Sequence, residues 1–451
     1  MSLAREQRSE AGPAIPGRVS AVGGAGRDMK TLLAAARRVM PGGTFGSFAL
    51  EEDVDIVIRS GKGSKVYDSA GREYIDCLNG SGPMLLGHSH PAVVSALREA
   101  VEWPSNSYVL NERGIELAEQ LVDAIPCAEQ VKYGVSGSDA TLYAMRLARA
   151  YTGRDKVLKF EGGFLGGNEY ALMSMRPSGP LPNFPISRPD GAGIPKVLEQ
   201  EVLIAPYNDL QTVERIVETH GGDIAAIIVE AQQRSIDPLP GFLEGLRALC
   251  DARGMLLIFD EVVTGFRLAW GGAQERYKVL PDLATYGKVI GGGLPLSAVA
   301  GPAEIMKLAD PRRTSDPRYC FIGGTTCGNG IAAVAGMATL GVLRRPGTYE
   351  RLYEIGDRFR SGVTATLRKH CVPGQVIGTG PIAQIALTDK PVLDYRSSLA
   401  GNLPLQQKLI TEIVRRGVLT HGKFYLSLVL SNDDIDRIVA VVDESLEAVL
   451  Q

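Results

Sequence analysis

Short, nearly continuous apolar runs alternate with helix-like periodicity through the middle of the chain. Between about residues 110 and 305 the runs are KVLKF, DIAAIIVE, GMLLIFDE and LSAVAG. Apolar strands separated by helices predict a mostly parallel sheet covered on both faces. In TLYAMRLARAYTG, Leu142, Met145 and Ala148 share one helical face, and Gly153 is a natural stop. Upstream, VDIVIRSGKGSKVYDSAGREYIDC reads as short strands and turns, with Val54, Ile56 and Ile58 alternating. HPAVVSALREAVE predicts a helix with Pro91 near its start. The C-terminal part changes character. TYERLYEIGDRFRSGVTATLRKH and LQQKLITEIVRRG read as helices, PIAQIALTD and FYLSLVLS as strands, and a last helix from near Asn432 to the end. This pattern is that of a separate α+β lobe.

These changes divide the chain into a lead-in over 1–30, an N-terminal segment over 31–75, a large domain over 76–335 and a small C-terminal domain over 336–451. The lead-in, rich in Gly, Pro and Ala, is expected to be flexible before the helix TLLAAARRVMPGG. It lacks the apolar core of a secretion signal, Glu6 and Glu10 disfavour a transit peptide, and Met29 offers an alternative start.

Composition adds mainly exclusions. The 451 residues are 45% hydrophobic and 22% charged, ordinary for a soluble globular protein with a large core. The formal charge is −3 and no long basic run occurs, so neither nucleic acid nor an anionic membrane is the expected partner. Six scattered cysteines without a CxxC pair are expected to be free thiols in a reducing cytoplasm. His88 and His90, in GHSHP, fit a turn before a helix better than zinc, and no metal site is expected. No apolar stretch is long enough to span a membrane.

Four features carry candidate chemistry. Ser136-Gly137-Ser138-Asp139-Ala140 opens a helix whose free N–H groups suit a phosphate, although an ordinary Ser cap explains it equally well in isolation. MLLIFDE ends an apolar strand in Asp260 and Glu261. Ligands of parallel sheets bind beyond such carboxyl ends, and a carboxylate there can hold a pyridinium proton. Taken alone it is also an ordinary capping acid, and Val262 is either ring packing or plain core. Thr285-Tyr286-Gly287-Lys288, followed by VIGGGLP, sets a lysine among small and apolar residues, where an imine-forming amine could be partly neutral. The spacing fails as a dinucleotide fingerprint. Gly323-Gly324-Thr325-Thr326 opens the helix-like GIAAVAGMATLGVL as a second phosphate contact or a flexible loop.

In this order the motifs resemble class III pyridoxal-phosphate aminotransferases, especially the branch containing glutamate-1-semialdehyde 2,1-aminomutase. The resemblance spans residues 31 to 450 through VMPGG, GPMLLGHSHP, SGSDA, FDEVVTGFR, YGKVIGGGLP and GGTTCGN. It implies an α/β fold of fold type I: a large domain with a mostly parallel, seven-stranded sheet and a smaller α+β C-terminal domain, with residues 31–75 packing with the latter. Lys288 is then the lysine that carries pyridoxal 5′-phosphate and shuttles protons, and Asp260 the partner of the ring nitrogen. Val262 and Phe164 pack against the ring, Ser136, Gly137 and Ser138 bind the phosphate, and Glu230 joins the cofactor site. Gly324 and Thr325 come from the neighbouring subunit of a homodimer whose active sites lie at the interface.

Departures from the family pattern concern the substrate. Where aminomutases carry an arginine after PGG, this chain has Ala49. A pocket tryptophan appears as Ser81, and a pocket asparagine is replaced around Arg234-Ser235. The expected activity is therefore amino transfer between an amine or amino acid and a carbonyl acceptor, with the intramolecular aminomutase as alternative. Ser81 and Arg234 are candidate substrate contacts; an Arg234 that faces water instead would favour neutral amines. The connector RPSGPLPNFPISRPDGAGIP resembles an aminomutase gating loop and reads equally as a Pro-rich linker.

Overall fold

Both faces of the central strands are covered, and this decides the architecture. The computed structural model describes residues 27–51, 54, 56–177 and 179–451, so residues 1–26 of the expected lead-in lie outside the described residues. Seven strands form the main sheet, in the order Gln130–Gly134, Ser297–Gly301, Leu283–Tyr286, Leu256–Asp260, Ile224–Glu230, Lys156–Phe160 and Val202–Ala205. Ser297–Gly301 runs antiparallel to both its neighbours, and the other pairings are parallel. Every residue of Ile224–Glu230 and Leu256–Asp260 is buried. Alternate residues serve opposite cores: Ile227, Val229, Leu257 and Phe259 join one cluster, and Ala226, Ile228, Leu256 and Ile258 the other. The four apolar runs read from the sequence are all strands of this sheet. Gln130–Gly134, Val202–Ala205 and Leu283–Tyr286 were not legible there. The first is a half-exposed edge strand, and the others are four residues long, too short to show a period.

The C-terminal elements build a second core around Phe359, Leu409, Phe424 and Ile438, where Thr348–Lys369 packs on Asn432–Leu450. Gln375–Ile377, Ile382–Ala386 and Lys423–Tyr425 form a three-stranded antiparallel sheet. FYLSLVLS is a strand only as far as Tyr425. Beyond it the chain leaves the sheet, and Leu426 and Leu428 donate to the carbonyls of Pro381 and Leu85. Residue 336, where the sequence places the start of this lobe, lies within the helix Gly330–Leu343.

All these elements belong to one compact unit, residues 60–66 with 73–451. The other unit comprises residues up to 59 together with 67–72. In it Asp28 caps the helix Met29–Val39 by accepting from the Thr31 amide, and the Asp68 carboxylate closes a turn on the amides of Ala70 and Arg72. The alternation expected from Val54 becomes a strand only at Ile58. Among the described residues no helix is long and apolar enough to cross a membrane.

One contact ties the core to the turn that holds Lys288. The helix Gly330–Leu343 lies so close to residues 288–292 that a Cβ on Gly336 would collide with the Ile290 carbonyl oxygen. Gly292, at φ 57°, faces the Ala335 carbonyl in the same way. Gly336→Ala is therefore expected to lower stability by about 1–3 kcal/mol, as overpacking does, and to weaken cofactor retention. Urea unfolding and the absorbance of bound cofactor after dialysis measure the two effects.

Candidate active site

Parallel register lines up three polar side chains at the carboxyl ends of adjacent strands. Glu230 is the register partner of Asp260, and Asp260 that of Thr285. Such an edge is where open α/β sheets bind ligands. Asp260, 5% exposed, accepts from the Val262 amide (3.0 Å) and the Thr285 hydroxyl (2.9 Å), both at Oδ1. Among the described residues Oδ2 accepts no hydrogen bond, so one acceptor of a fixed carboxylate is available. Burial first, then the Glu230 carboxylate, push the Asp260 pKa up to about 7; the Val262 amide, Lys288 and Thr285 oppose the rise. A positive group beside Oδ2 restores the charged form.

The second component is the start of the helix Gly137–Thr152. Ser136 and Asp139 form a reciprocal capping box, and Gly153 ends the helix at φ 69°. The amides of Gly137 and Ser138 precede the first internal helical bond and face the positive end of the dipole. Gly137 is crowded: a Cβ there would lie 2.9 Å from Val262 Cγ1. Gly287, just before Lys288, sits beside both, with its Cβ position 3.7 Å from the Gly137 nitrogen. Ser138 Oγ accepts from the Gly167 amide at 2.8 Å, which ties the loop after Phe164 to the same helix start. Phe164 donates its amide to Glu230 Oε2 at 2.9 Å, and the Arg234 guanidinium lies 5.2 Å from its ring centre.

Lys288 completes the group. It follows the strand Leu283–Tyr286 with φ 46°, an uncommon conformation for a residue with a side chain and one that such sites tolerate. Lys288 Cδ, Tyr425 Cε1 and Arg267 Nη2 all lie 3.2–3.3 Å from the position a Gly82 Cβ would take. Arg267 is buried, donates to the Gly82 and Val263 carbonyls, and lies over the Tyr425 ring. Burial lowers the Lys288 pKa to about 8; Asp260 opposes this, and the cation of Arg267 adds to it. Lys159 is also pushed to about 8 by burial, but its ammonium donates to the carbonyls of Ala171 and Met173. Lys159 is thus a structural cation, and Lys288 the one with its nitrogen beside the strand ends.

A cavity of about 340 Å³ opens next to these residues, lined by Ser81 and Tyr425 on the Lys288 side and by Arg176, Arg234, His421 and Lys423 further out. Ser81 and Arg234 therefore reach the cavity, Arg234 at φ 61° with Nε donating to Gly162 O at 3.0 Å. Gly324 and Thr325 do not join the cluster. They are exposed, with the Thr325 carbonyl accepting from Asn106 and that of Gly323 from Tyr143. His88 pairs with Asp76 and His90 caps the helix Pro91–Ala100, both structural roles. Sequence reasoning missed Thr285 as a partner of Asp260, Arg267 at the end of FDEVVTGFR, and Arg176, His421 and Lys423. For the last three no local signal existed, since they come together only across segments far apart in the chain.

The residues fit pyridoxal phosphate on their own chemistry. The open Asp260 Oδ2 suits a protonated ring nitrogen, the glycine-lined helix start suits a phosphate, and the partly neutral amine of Lys288 suits an aldehyde. Fold and site together define a pyridoxal-phosphate enzyme of fold type I. The family model for Aminotransferase class-III matches residues 48–446, and the chain belongs to that family. It is 37% identical over 418 residues to glutamate-1-semialdehyde 2,1-aminomutase 2 of Brevibacillus brevis, covering 90% of this chain and 95% of that one. It superposes on an omega-transaminase from Sphaerobacter thermophilus with TM-score 0.89 and 32% identity, covering 94% and 98% of the two chains. For a β-phenylalanine aminotransferase from Variovorax paradoxus the values are 0.83 and 31%, with 93% and 94% covered.

With the Lys288 pKa at about 8, roughly half the amine is neutral at pH 8, where an ordinary lysine is almost wholly charged. Only the neutral amine attacks an aldehyde. Covalent uptake of pyridoxal phosphate by the cofactor-free protein is therefore expected to rise through pH 8 and level off above pH 9. Stopped-flow absorbance gives the profile, and borohydride reduction with peptide mapping is expected to find the label on Lys288. Label on Lys159 or another lysine contradicts the assignment.

Proposed function

We propose that this protein transfers an amino group between an amine or amino acid donor and a separate carbonyl acceptor, with Lys288 and Asp260 as its catalytic residues. The observation that carries this reading is the convergence of the Lys288 amine, the open Oδ2 of Asp260 and the helix start at Gly137 on one edge of the sheet. Bound pyridoxal phosphate supplies an electron sink for negative charge at the carbon bearing the amino group. The chain's own residues do the rest. Lys288 would hold the cofactor through its amine, and that amine, when free, would take and return the proton of that carbon. Asp260, oriented by Thr285 and the Val262 amide, holds a proton on the ring nitrogen. Val262 and Phe164 enclose the ring, and Ser136, Gly137 and Ser138 receive the phosphate. Glu230 fixes the Phe164 loop through its amide.

The exposed Gly324 and Thr325 are proposed to complete the phosphate site of a second copy in a homodimer. In support, Asn106 and Asn329 tie residues 105–110 to this loop, and Tyr108, Val109, Leu110 and Phe321 are 66–86% exposed apolar side chains around it. All six cysteines are free, which fits a reducing compartment such as the cytoplasm.

Intramolecular transfer is the second reading, favoured by the names of the aminomutase relatives. Ala49 and Ser81, in place of the family's arginine and tryptophan, argue against it, because a bound carboxylate needs a matched cation. Glutamate-1-semialdehyde is expected to be isomerised more slowly, in kcat/KM, than the best amine and keto acid pair in a panel. Efficient isomerisation with no transfer between separate molecules overturns the reading. Asp260→Asn is expected to fold and bind cofactor but lose turnover by roughly two to four orders of magnitude, as removal of a principal electrostatic stabiliser does. Steady-state assays at matched cofactor content check it, and near-normal turnover rejects the ring-nitrogen role.

A further inference from the structure

The outer part of the cavity carries cations that nothing in the cofactor chemistry uses. Arg176, Arg234 and Lys423 line it together, and no Asp or Glu does. Among the described residues the Arg176 guanidinium and the Lys423 ammonium have no hydrogen-bond or ion-pair partner, and Arg234 donates only to the Gly162 carbonyl. Arg234 and Lys423 are half-buried and Arg176 stands exposed at the rim. Neighbouring carboxylates are already engaged. Glu161 is held by Arg396 through two bonds of 2.7 and 3.0 Å, and Asp190 takes the backbone amides of Met175 and Arg176. Glu230 acts on Lys423 from a distance, at the strand end where it takes the Phe164 amide. Asp190 keeps its charge, because backbone amides are neutral, so two carboxylates face three basic side chains, and burial first and then the Arg234 guanidinium push the Lys423 ammonium well below its ordinary range.

Half-buried like charges repel and lose solvation, and an anion placed between Arg234 and Lys423 relieves both costs. The strain is visible in His421, whose pKa falls to about 4 by burial first and then by the charges of Lys423 and Arg234. The group comes from three separate segments: the connector after Met175, the loop after the strand Ile224–Glu230, and the strand Lys423–Tyr425 of the small sheet. Tyr425, two residues from Lys423 on the same strand, touches the Gly82 position that Lys288 also touches, and Lys288 itself does not line the cavity, so the cations stand beside the amine and within reach of its charge.

We propose that Arg176, Arg234 and Lys423 form a subsite for the doubly charged end of the substrate, a dicarboxylate or a phosphate monoester. Arg234 and Lys423 hold the two charges, Arg234 through the planar fork that matches an oxyanion. Arg176 attracts the anion at the rim. This assignment rests on the aminotransferase reading for its context, but its test does not.

The test uses the cofactor-loaded enzyme and ligands that have neither amine nor carbonyl and so cannot react. Ethylmalonate, which carries both carboxylates at one end, butyl phosphate and butyrate are titrated calorimetrically at low ionic strength. At least one of the two dianions is expected to bind ten times or more tightly than butyrate, and the better one identifies the source of the charge. That preference is expected to fall below threefold in Arg234→Gln and in Lys423→Met, to drop less in Arg176→Gln, and to shrink in the wild type as salt is raised. Butyrate binding as tightly as both dianions in the wild type overturns the proposal, whatever the variants do. So does a preference that survives in a folded Arg234→Gln, Lys423→Met double variant. An enzyme that selects dianions yet moves no amino group removes only the aminotransferase reading, and one that transfers amino groups without the selection removes only the subsite.

Discussion

Parallel register between buried strands is the constraint on which the site depends. Because Glu230, Asp260 and Thr285 are register partners, their side chains leave the sheet at one level, and a one-residue slip would turn them to other faces. The apolar residues behind them, split between two cores by the alternation of the strands, lock that register. The three polar side chains are thereby mounted on fully buried, paired strands. Lys288 then needs only the short turn after Tyr286 to face Asp260, and Gly287 and Gly292 let that turn lie between two helices.

Electrostatics follow from the same burial. The sheet edge excludes water on several sides, so Asp260 is raised towards neutrality and Lys288 lowered towards it, each mainly by burial. Arg267 adds a fixed positive charge that has no carboxylate partner among the described residues; carbonyls and the Tyr425 ring satisfy it instead. Before the cofactor binds, the pair is close to losing its charges. A cation placed beside Asp260 would reverse that balance, which would link binding there to the charge state of the site.

The substrate side obeys a different rule. Glu230, Asp260, Thr285 and Lys288 lie on or just beyond the main sheet, whereas the cavity wall draws on loops and the small C-terminal sheet. A wall assembled from such distant segments can change its charge without disturbing the register behind it. Ser81, Arg234 and Lys423 are of this kind, set beside the strand ends that carry Glu230, Asp260 and Thr285.

Much of the fold could be read directly. Apolar runs such as DIAAIIVE and GMLLIFDE announced buried strands, and the start at Ser136 and stop at Gly153 bounded the helix between them, because these signals are local. The residues proposed to react, Lys288 and Asp260, each sit in a contiguous motif and could be singled out from it. Short strands were not, because four residues carry no usable period and their neighbours across the sheet define them. Nor could the sequence decide which way Arg234 points, or that Arg176 and Lys423, nearly 250 positions apart, line one cavity with it. Local chemistry is written in neighbouring residues, whereas the charge of a pocket is a sum over whatever the tertiary fold brings together.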